Sequence, residues 1–227
     1  MSTVIAHPQL MRVARFYEST IGKKAIMAVT GLILFGFLIA HMLGNLQIFL
    51  GASVMNHYAE TLHGNPPLLW TVRIVLLISV LLHIWASIQL TSIKKQARPV
   101  GYVKRTNVVS SWASRSMMLT GPVIAAFVVF HLLHVTTGTI HPRFVPLHAY
   151  ENLVTGFVVV PFALIYVVAM VLIGFHLSHG IWSMFQSMGL SHPRYTPAIK
   201  KFAAIFSWIL VAGFISVPIA VLAGLVR

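Results

Sequence analysis

Long apolar stretches separated by short polar segments run through the whole chain. Five of them reach the length of about 20 residues that a helix needs to cross the hydrocarbon core of a bilayer. They cover residues 24–50, 67–92, 116–138, 157–187 and 202–225. Prolines at 66–67 and between 142 and 146 mark two of the connections. The pattern predicts an all-α membrane protein with a bundle of five transmembrane helices, and residues 1–227 form one domain.

Basic residues are distributed unevenly among the connections. Most of the 16 lysines and arginines precede the first span or lie between the second and third or the fourth and fifth; only Arg73, Arg143 and Arg227 lie elsewhere. Positively charged loops stay in the cytoplasm, so we expect a cytoplasmic N-terminus. Residues 1–20 lack the pattern of a cleaved signal peptide, so the first span is expected to direct insertion. The net charge of +13 follows mostly from this bias and does not by itself indicate nucleic acid.

Composition narrows the possible chemistry. Hydrophobic residues make up 58% of the chain and charged residues 8%, which is too apolar for an ordinary soluble domain. The absence of cysteine excludes disulfides, cysteine-ligated iron–sulfur clusters and covalent haem attachment. The acidic residues Glu18, Glu60 and Glu151 all lie outside the apolar stretches.

Each of the first four spans carries a histidine deep inside it, and these are His41, His83, His131 and His176. An ionisable side chain in the bilayer interior is costly without a partner, which makes each one a functional candidate. Neutral imidazole is a strong axial ligand for haem iron. One such histidine could equally be a hydrogen-bonding residue between helices. Four, one in each of four helices, favour iron ligands.

Depth along the helices predicts how these histidines pair. At about 1.5 Å per residue, His41 and His131 lie about 25 and 22 Å from the cytoplasmic ends of their helices. His83 and His176 are on helices that run the opposite way and lie nearer the cytoplasm. We therefore predict two haem b groups, one held by His41 and His131 near the outer face and one by His83 and His176 near the inner face. The fifth span has no histidine and is expected to serve packing.

Two further histidines leave the ligand assignment open. His134 follows His131 by three residues, and His179 follows His176 likewise, so each pair is expected to share a helix face. Either member of a pair could reach an iron. His134 and His179 could instead bond haem propionates or a quinone.

Four segments form recognisable motifs: residues 22–31 (GKKAIMAVTG), 41–47 (HMLGNLQ), 97–102 (ARPVGY) and 175–183 (FHLSHGIWS). With these motifs the chain resembles the diheme, single-anchor cytochrome b558 subunit of succinate dehydrogenase/fumarate reductase. The resemblance implies a five-helix anchor in a bacterial cytoplasmic membrane for two soluble subunits, a flavoprotein and an iron–sulfur protein. Electrons would pass between the iron–sulfur subunit and a membrane quinone, menaquinone, through two haems. The succinate site of this tricarboxylic acid cycle complex would lie on the flavoprotein.

The resemblance also implies residue roles. His41, His83, His131 and His176 correspond to the haem ligands, with His131 favoured over His134 because the family's third ligand follows an aromatic residue, here Phe130. One departure concerns protons. Some fumarate reductases of this type carry a glutamate in the fourth helix, whereas residues 171–175 contain no acid.

A quinone site needs proton donors near a haem and within reach of water. His57, Tyr58 and Glu60 are the outer candidates, with His63 nearby. Arg73 could bind quinone or a haem propionate, or extend to the membrane surface. The inner side offers rival residues for a quinone, namely Ser19, Lys23, Lys24, His179 and Trp182.

Other functions use the same features. The cytochrome b anchor of a hydrogenase or formate dehydrogenase also carries histidines on its helices. A transporter could use the histidines to carry protons or bind a metal, and a purely structural anchor could have lost haem. Visible absorption by haem distinguishes the last two from a cytochrome.

Overall fold

The computed structural model describes residues 15–97, Val100 and residues 111–227. Within these ranges the chain is helical and contains no strand. In chain order the helices are α1 (Thr20–Leu46), α2 (Ala52–His63), α3 (Pro66–Gln96), α4 (Trp112–His131), α5 (Ala149–Phe157), α6 (Val160–Ser187) and α7 (Thr196–Leu222). Five of them are long and apolar enough to span a membrane, which confirms the predicted fold class.

Two irregular turns extend the spans. A 3₁₀ turn (Gln47–Leu50) continues α1, and a π turn (Leu132–Thr136) continues α4. The short helices α2 and α5 follow these turns, and we call the end of the bundle that carries them the outer end. Four of the basic residues on which the predicted orientation depends lie outside the described part of the chain, namely Arg12, Arg98, Lys104 and Arg105. Most of the 97–102 motif lies outside it as well.

Local sequence signals set where the spans begin. Ser19 and Ser111 cap α1 and α4, and their hydroxyls accept hydrogen bonds from the backbone N–H of Gly22 and Ser114. Asn65 caps α3 in the same way through Leu68. A side-chain oxygen at this position satisfies an N–H that the helix itself leaves free. Prolines occupy the first turn of α3, α6 and α7, where no backbone N–H is needed.

Helix α6 lies at the centre of the bundle. It packs against α1, α4 and α7, while α3 packs mainly against α1. In the most apolar window of each helix, 39% of residues are buried in α7 but only 6% in α3. Small residues allow the close approach of α6 and α7: a Cβ at Gly174 would lie 2.8 Å from Val211 and 3.2 Å from Trp208. The fifth span therefore fills the side of the bundle away from α3.

Helix α7 also supports the outer histidine of α1. The Met42 side chain fills the notch at Gly213, where a Cβ would overlap its sulfur. The Phe214 ring lies 5.9 Å from the ring of His41. Helix α7, which has no histidine of its own, thus helps to fix the position of His41.

The outer helices α2 and α5 are joined through Asn56. Its amide nitrogen donates to Glu151 Oε2 at 2.8 Å, and its amide oxygen accepts from the Tyr150 backbone N–H at 2.9 Å. Asn152 secures the preceding loop by accepting from Val145 N–H and donating to its carbonyl. Together these bonds link the connection after the first span to the connection after the third.

The chain has no cysteine, so single cysteines can report its orientation. His63 at the outer end and Ser191 at the opposite end are both exposed. We expect His63→Cys to react with a membrane-impermeant maleimide in intact spheroplasts and Ser191→Cys to react only after the membrane is opened. Labelling of both from one side, or the reverse pattern, would contradict the predicted orientation.

The packing of Met42 at Gly213 predicts that an added methyl group affects stability differently at Gly213 and at Gly36. Alanine in place of a helical glycine gains about 1 kcal/mol of helix propensity. Gly213→Ala must also displace the flexible end of Met42, so its free energy of unfolding should be lower than that of Gly36→Ala by about 1 kcal/mol. Gly36→Ala is the matched control, because nothing among the described residues lies within 4 Å of its added Cβ. Thermal denaturation in detergent compares the two. Equal stability of both variants would contradict the packing role of Gly213.

Candidate functional site

The outer pair of histidines joins α1 to α4. The ring centroids of His41 and His131 lie 5.6 Å apart, with the ring planes at 87°. Phe37 stacks on His41 at 5.2 Å, and Phe127 lies 5.9 Å from His131. Both imidazoles are therefore in contact with each other and with aromatic rings one turn along their own helices.

The inner pair joins α3 to α6. The ring centroids of His83 and His176 lie 6.4 Å apart, with the ring planes at 55°. Each ring is held by a threonine from a neighbouring helix: Thr30 Oγ1 lies 3.2 Å from Nδ1 of His83, and Thr120 Oγ1 lies 3.2 Å from Nδ1 of His176. The structure thus brings together both pairs of histidines that the depth argument matched.

The threonine hydroxyls also determine which ring nitrogen remains free. Thr30 Oγ1 donates its only proton to the Ile26 carbonyl at 2.7 Å, so it accepts from Nδ1–H of His83. The Thr120 hydroxyl lies 3.4 Å from the Met117 carbonyl and 3.2 Å from Nδ1 of His176, and it accepts from this ring in the same way if Nε2 of His176 binds a metal. The imidazole of His83 then carries a bare lone pair on Nε2, and that of His176 does so with the same bond direction. A neutral imidazole oriented by a hydrogen bond to its other nitrogen is the usual form of a metal-ligating histidine.

Sequence reasoning missed both threonines, although the sequence contains a signal for them. Residues 29–43 (VTGLILFGFLIAHML) and 119–133 (LTGPVIAAFVVFHLL) share Thr-Gly, then a phenylalanine and then a histidine at the same spacing. In each copy the threonine lies eleven residues, about three turns, before the outer histidine and so faces the same side. The first helix of each half therefore carries an outer histidine and the hydroxyl partner of an inner one.

His134 does not share the surroundings of His131. It lies in the π turn, whose i→i+5 bond from Thr137 N–H to the Leu132 carbonyl makes the turn wider than an α turn. His134 packs against His141 at 4.9 Å and Phe162 at 4.8 Å, while His131 faces His41. Nδ1 of each lies within 3.2 Å of the same Tyr166 hydroxyl on α6, so the two histidines do share a helix face, as the sequence predicted, although their other neighbours differ.

A tyrosine that the sequence analysis did not single out connects these two histidines. The Tyr166 hydroxyl lies 3.2 Å from Nδ1 of His131 and 3.0 Å from Nδ1 of His134. His134 is fully buried, and its Nε2 has no hydrogen-bond partner among the described residues. His141 has both nitrogens bonded, Nε2 to the Asn152 carbonyl and Nδ1 to the Arg143 N–H.

His179 lies one turn inward from His176 on α6. Its Nδ1 is buried without a hydrogen-bond partner in the described part of the chain. The ring of Trp182 lies 5.7 Å away, and the Lys200 ammonium sits over that indole at 4.4 Å. These three residues form a polar group at the inner end that includes two of the predicted quinone or propionate residues.

An open cavity of about 420 Å³ lies at the outer end between the 3₁₀ turn and α2. Its lining residues are Gln47, Ser53, Val54, His57, Tyr58 and Thr61. Tyr58 packs over Gly44, where a Cβ would lie 3.1 Å from the tyrosine oxygen. Since Gly44 is one turn from His41, this hydroxyl lies about 5 Å outward of the outer pair along α1. His57 and Glu60 are exposed and 4.0 Å apart.

The remaining candidates have other contacts. The Arg73 guanidinium lies over Trp70 at 5.3 Å, half-buried and about 15 Å outward of His83 along α3. Lys23 is buried and donates to the carbonyls of Tyr17 and Glu18, and Ser19 caps α1, so both have structural roles. Lys24 and His63 are exposed.

The motifs that carry the family resemblance fall mainly on two helices. Residues 22–31 and 41–47 lie on α1 and its 3₁₀ extension, and residues 175–183 lie on α6. Comparison of the chain with protein-family models, with curated proteins and with solved structures gives no match. The family assignment therefore stays a prediction from these motifs.

Proposed function

We propose that the chain is a diheme cytochrome b that anchors a succinate:quinone oxidoreductase in the membrane and passes electrons between its iron–sulfur subunit and quinone. The observation that carries the proposal is the pair of histidine contacts across helices, one at each of two depths. Four helices contribute one histidine each. Histidines that served only to join helices would not need to meet in two pairs at two depths.

The spacing of the rings fits a shared metal. An imidazole nitrogen binds a metal at about 2.0–2.1 Å and the ring centre lies roughly 1 Å further away, so two axial imidazoles have centroids about 6 Å apart. The distances of 5.6 Å and 6.4 Å lie on either side of this value. Two imidazoles at this spacing could both ligate one haem iron.

The surroundings fit a porphyrin as well. Thr30 and Thr120 hold the inner rings so that their Nε2 lone pairs are free for iron. Gly180 lies one turn inward from His176, and no described atom lies within 4 Å of the position of its Cβ. A flat macrocycle could pass this glycine without steric overlap. His179 and Lys200 are then the inner partners for propionate carboxylates, and Arg73 is the outer one.

When bound, the haems would supply one-electron carriers at two levels across a core of about 30 Å. The residues of the chain have three roles around them. The histidines hold the iron, the threonines orient the inner histidines, and Phe37, Phe127 and Phe214 exclude water from the outer pair.

The outer cavity is the proposed site for quinone. Each quinone takes two electrons and two protons to become a quinol, so the site needs a haem nearby and proton donors open to water. The Tyr58 hydroxyl lies one turn from the outer pair, and the exposed His57 and Glu60 can exchange protons with the medium. This combination supports the outer end over the inner one, where Ser19 and Lys23 are already engaged by the backbone.

Partner subunits are proposed for the end opposite to α2 and α5. Basic residues cluster there at the ends of α3 and α7 and on the segment that joins α6 to α7; they include Lys94, Lys95, Arg194, Lys200 and Lys201. A flavoprotein and an iron–sulfur protein with acidic surfaces would dock on this end. An anchor for a hydrogenase or formate dehydrogenase would use the same surface, so the partner that copurifies with the chain separates these alternatives.

Haem content is the first test. The chain purified with its partners should contain two haems b and show sharp α-bands in the dithionite-reduced minus oxidised spectrum, with haem quantified per chain. A protein without haem would overturn the proposal and favour a transporter.

Single substitutions test the pairing. We expect His41→Ala and His131→Ala to remove the same haem, and His83→Ala and His176→Ala to remove the other, because a low-spin site needs both axial ligands. His63→Ala is the control, since His63 is exposed and bonds only its own helix at the Ala59 carbonyl. Loss of the inner haem from His131→Ala would contradict the pairing.

The quinone site predicts a selective defect in Tyr58→Phe. Loss of one hydrogen bond of about 1.4 kcal/mol in the transition state should lower succinate-driven quinone reduction about tenfold. Reduction of the haems by succinate should stay unchanged. Tyr150→Phe serves as the control, because its hydroxyl donates to the Arg227 carbonyl outside the cavity. An equal effect of both variants would argue against the outer site.

A further inference from the structure

The bundle has two halves, α1 with α3 and α4 with α6, each with one inner and one outer histidine. The inner histidines have the same kind of hydrogen-bond partner, whereas the outer histidines do not. Thr30 and Thr120 occupy equivalent positions of the repeated segment and make equivalent bonds to His83 and His176. His131 has a bond to Tyr166, whereas no ring nitrogen of His41 has a hydrogen-bond partner among the described residues. The position that matches Tyr166 in the first half, ten residues before His83, is Arg73. The tyrosine bridge is thus specific to one outer histidine.

The Tyr166 hydroxyl has only one proton to share between two imidazoles. Tyr166 is 7% exposed, and its oxygen lies within hydrogen-bond distance of Nδ1 of both His131 and His134. A phenol donates one hydrogen bond and accepts others. Both contacts can be hydrogen bonds that use the hydroxyl proton only if one imidazole donates to the oxygen and the other accepts from it.

A metal-ligating role for His131 selects one of the two directions. If its Nε2 holds iron, its proton is on Nδ1, and Nδ1–H donates to the Tyr166 oxygen. The tyrosine proton then goes to Nδ1 of His134, which leaves a proton on the buried, unpartnered Nε2 of His134. The opposite direction would place a proton on Nε2 of His131 and prevent it from binding iron. The bridge therefore distinguishes the two histidines by protonation as well as by position.

We propose that Tyr166 is a positioning residue that fixes the orientation and tautomer of His131 and sets the potential of the outer haem apart from that of the inner one. The inference rests on the proposed diheme function. An acceptor for Nδ1–H makes an axial imidazole a stronger donor to iron, which favours the oxidised metal. The acceptor is itself strengthened when its own proton is donated onward to His134.

The test is a redox titration of the full chain with its partners, followed in the visible α-bands. Tyr166→Phe keeps the ring and removes the bridge, and we expect a positive shift in the midpoint potential of the outer haem alone. The outer haem is identified as the one lost in His41→Ala. Tyr150→Phe is the matched control, since it also removes one tyrosine hydrogen bond at the outer end and should shift neither haem.

His134→Leu distinguishes an effect of the tyrosine hydrogen bond on the potential of the outer haem from a general effect on packing. It removes the acceptor of the tyrosine proton and leaves Tyr166 in place, so the outer haem should shift in the same direction but less. The double variant should match Tyr166→Phe alone, because His134 acts on iron only through the tyrosine.

Each result decides a different point. Two haems with unchanged potentials in Tyr166→Phe, or equal shifts of both haems, overturn the inference and leave the proposed function intact. If Tyr166→Phe loses the outer haem, His134→Leu decides: a positive shift of the outer haem supports the inference and no shift overturns it. A chain without any haem before substitution overturns the proposed function and the inference with it.

Discussion

The cost of an imidazole without a partner in a hydrocarbon environment governs the arrangement of this bundle. Helices satisfy the backbone inside a membrane, but a histidine side chain needs a second group from elsewhere. For three of the paired histidines that group is a hydroxyl from another helix: a threonine for each inner ring and Tyr166 for His131. His41 has no hydrogen-bond partner among the described residues and instead packs against His131 and aromatic rings. These contacts also fix how the helices are rotated about their axes.

Hydrophobic length and residue depth were sufficient to predict the coarse architecture. Spans are visible in the sequence because a run of about 20 apolar residues is rare outside transmembrane helices. Depth along a helix is a simple count, and it matched His41 with His131 and His83 with His176, whose rings are in contact in the structure. Neither step needed any knowledge of how the helices are rotated.

The sequence did not show how each helix is rotated about its axis, and so which side chains from different helices meet. His131 and His134 share the expected face, since both reach Tyr166, but their other neighbours, His41 for the first and His141 for the second, could not be read from the spacing. Tyr166 was overlooked because its role depends on a partner from a different helix, and a tyrosine in an apolar run carries no signal on its own. The threonines could have been found, since the repeat of Thr-Gly before a histidine is present in the sequence twice.

The repeat has a consequence for how this architecture tolerates change in length. Corresponding positions are 90 residues apart on the first helix of each half and 93 apart on the second, so the extra residues fall in the outer connections. Since each histidine's level is measured from the membrane boundary along its own helix, insertions outside the bilayer leave the two tiers of imidazoles in place. The outer connections can thus differ in length between the two segments while both levels of imidazoles keep their spacing.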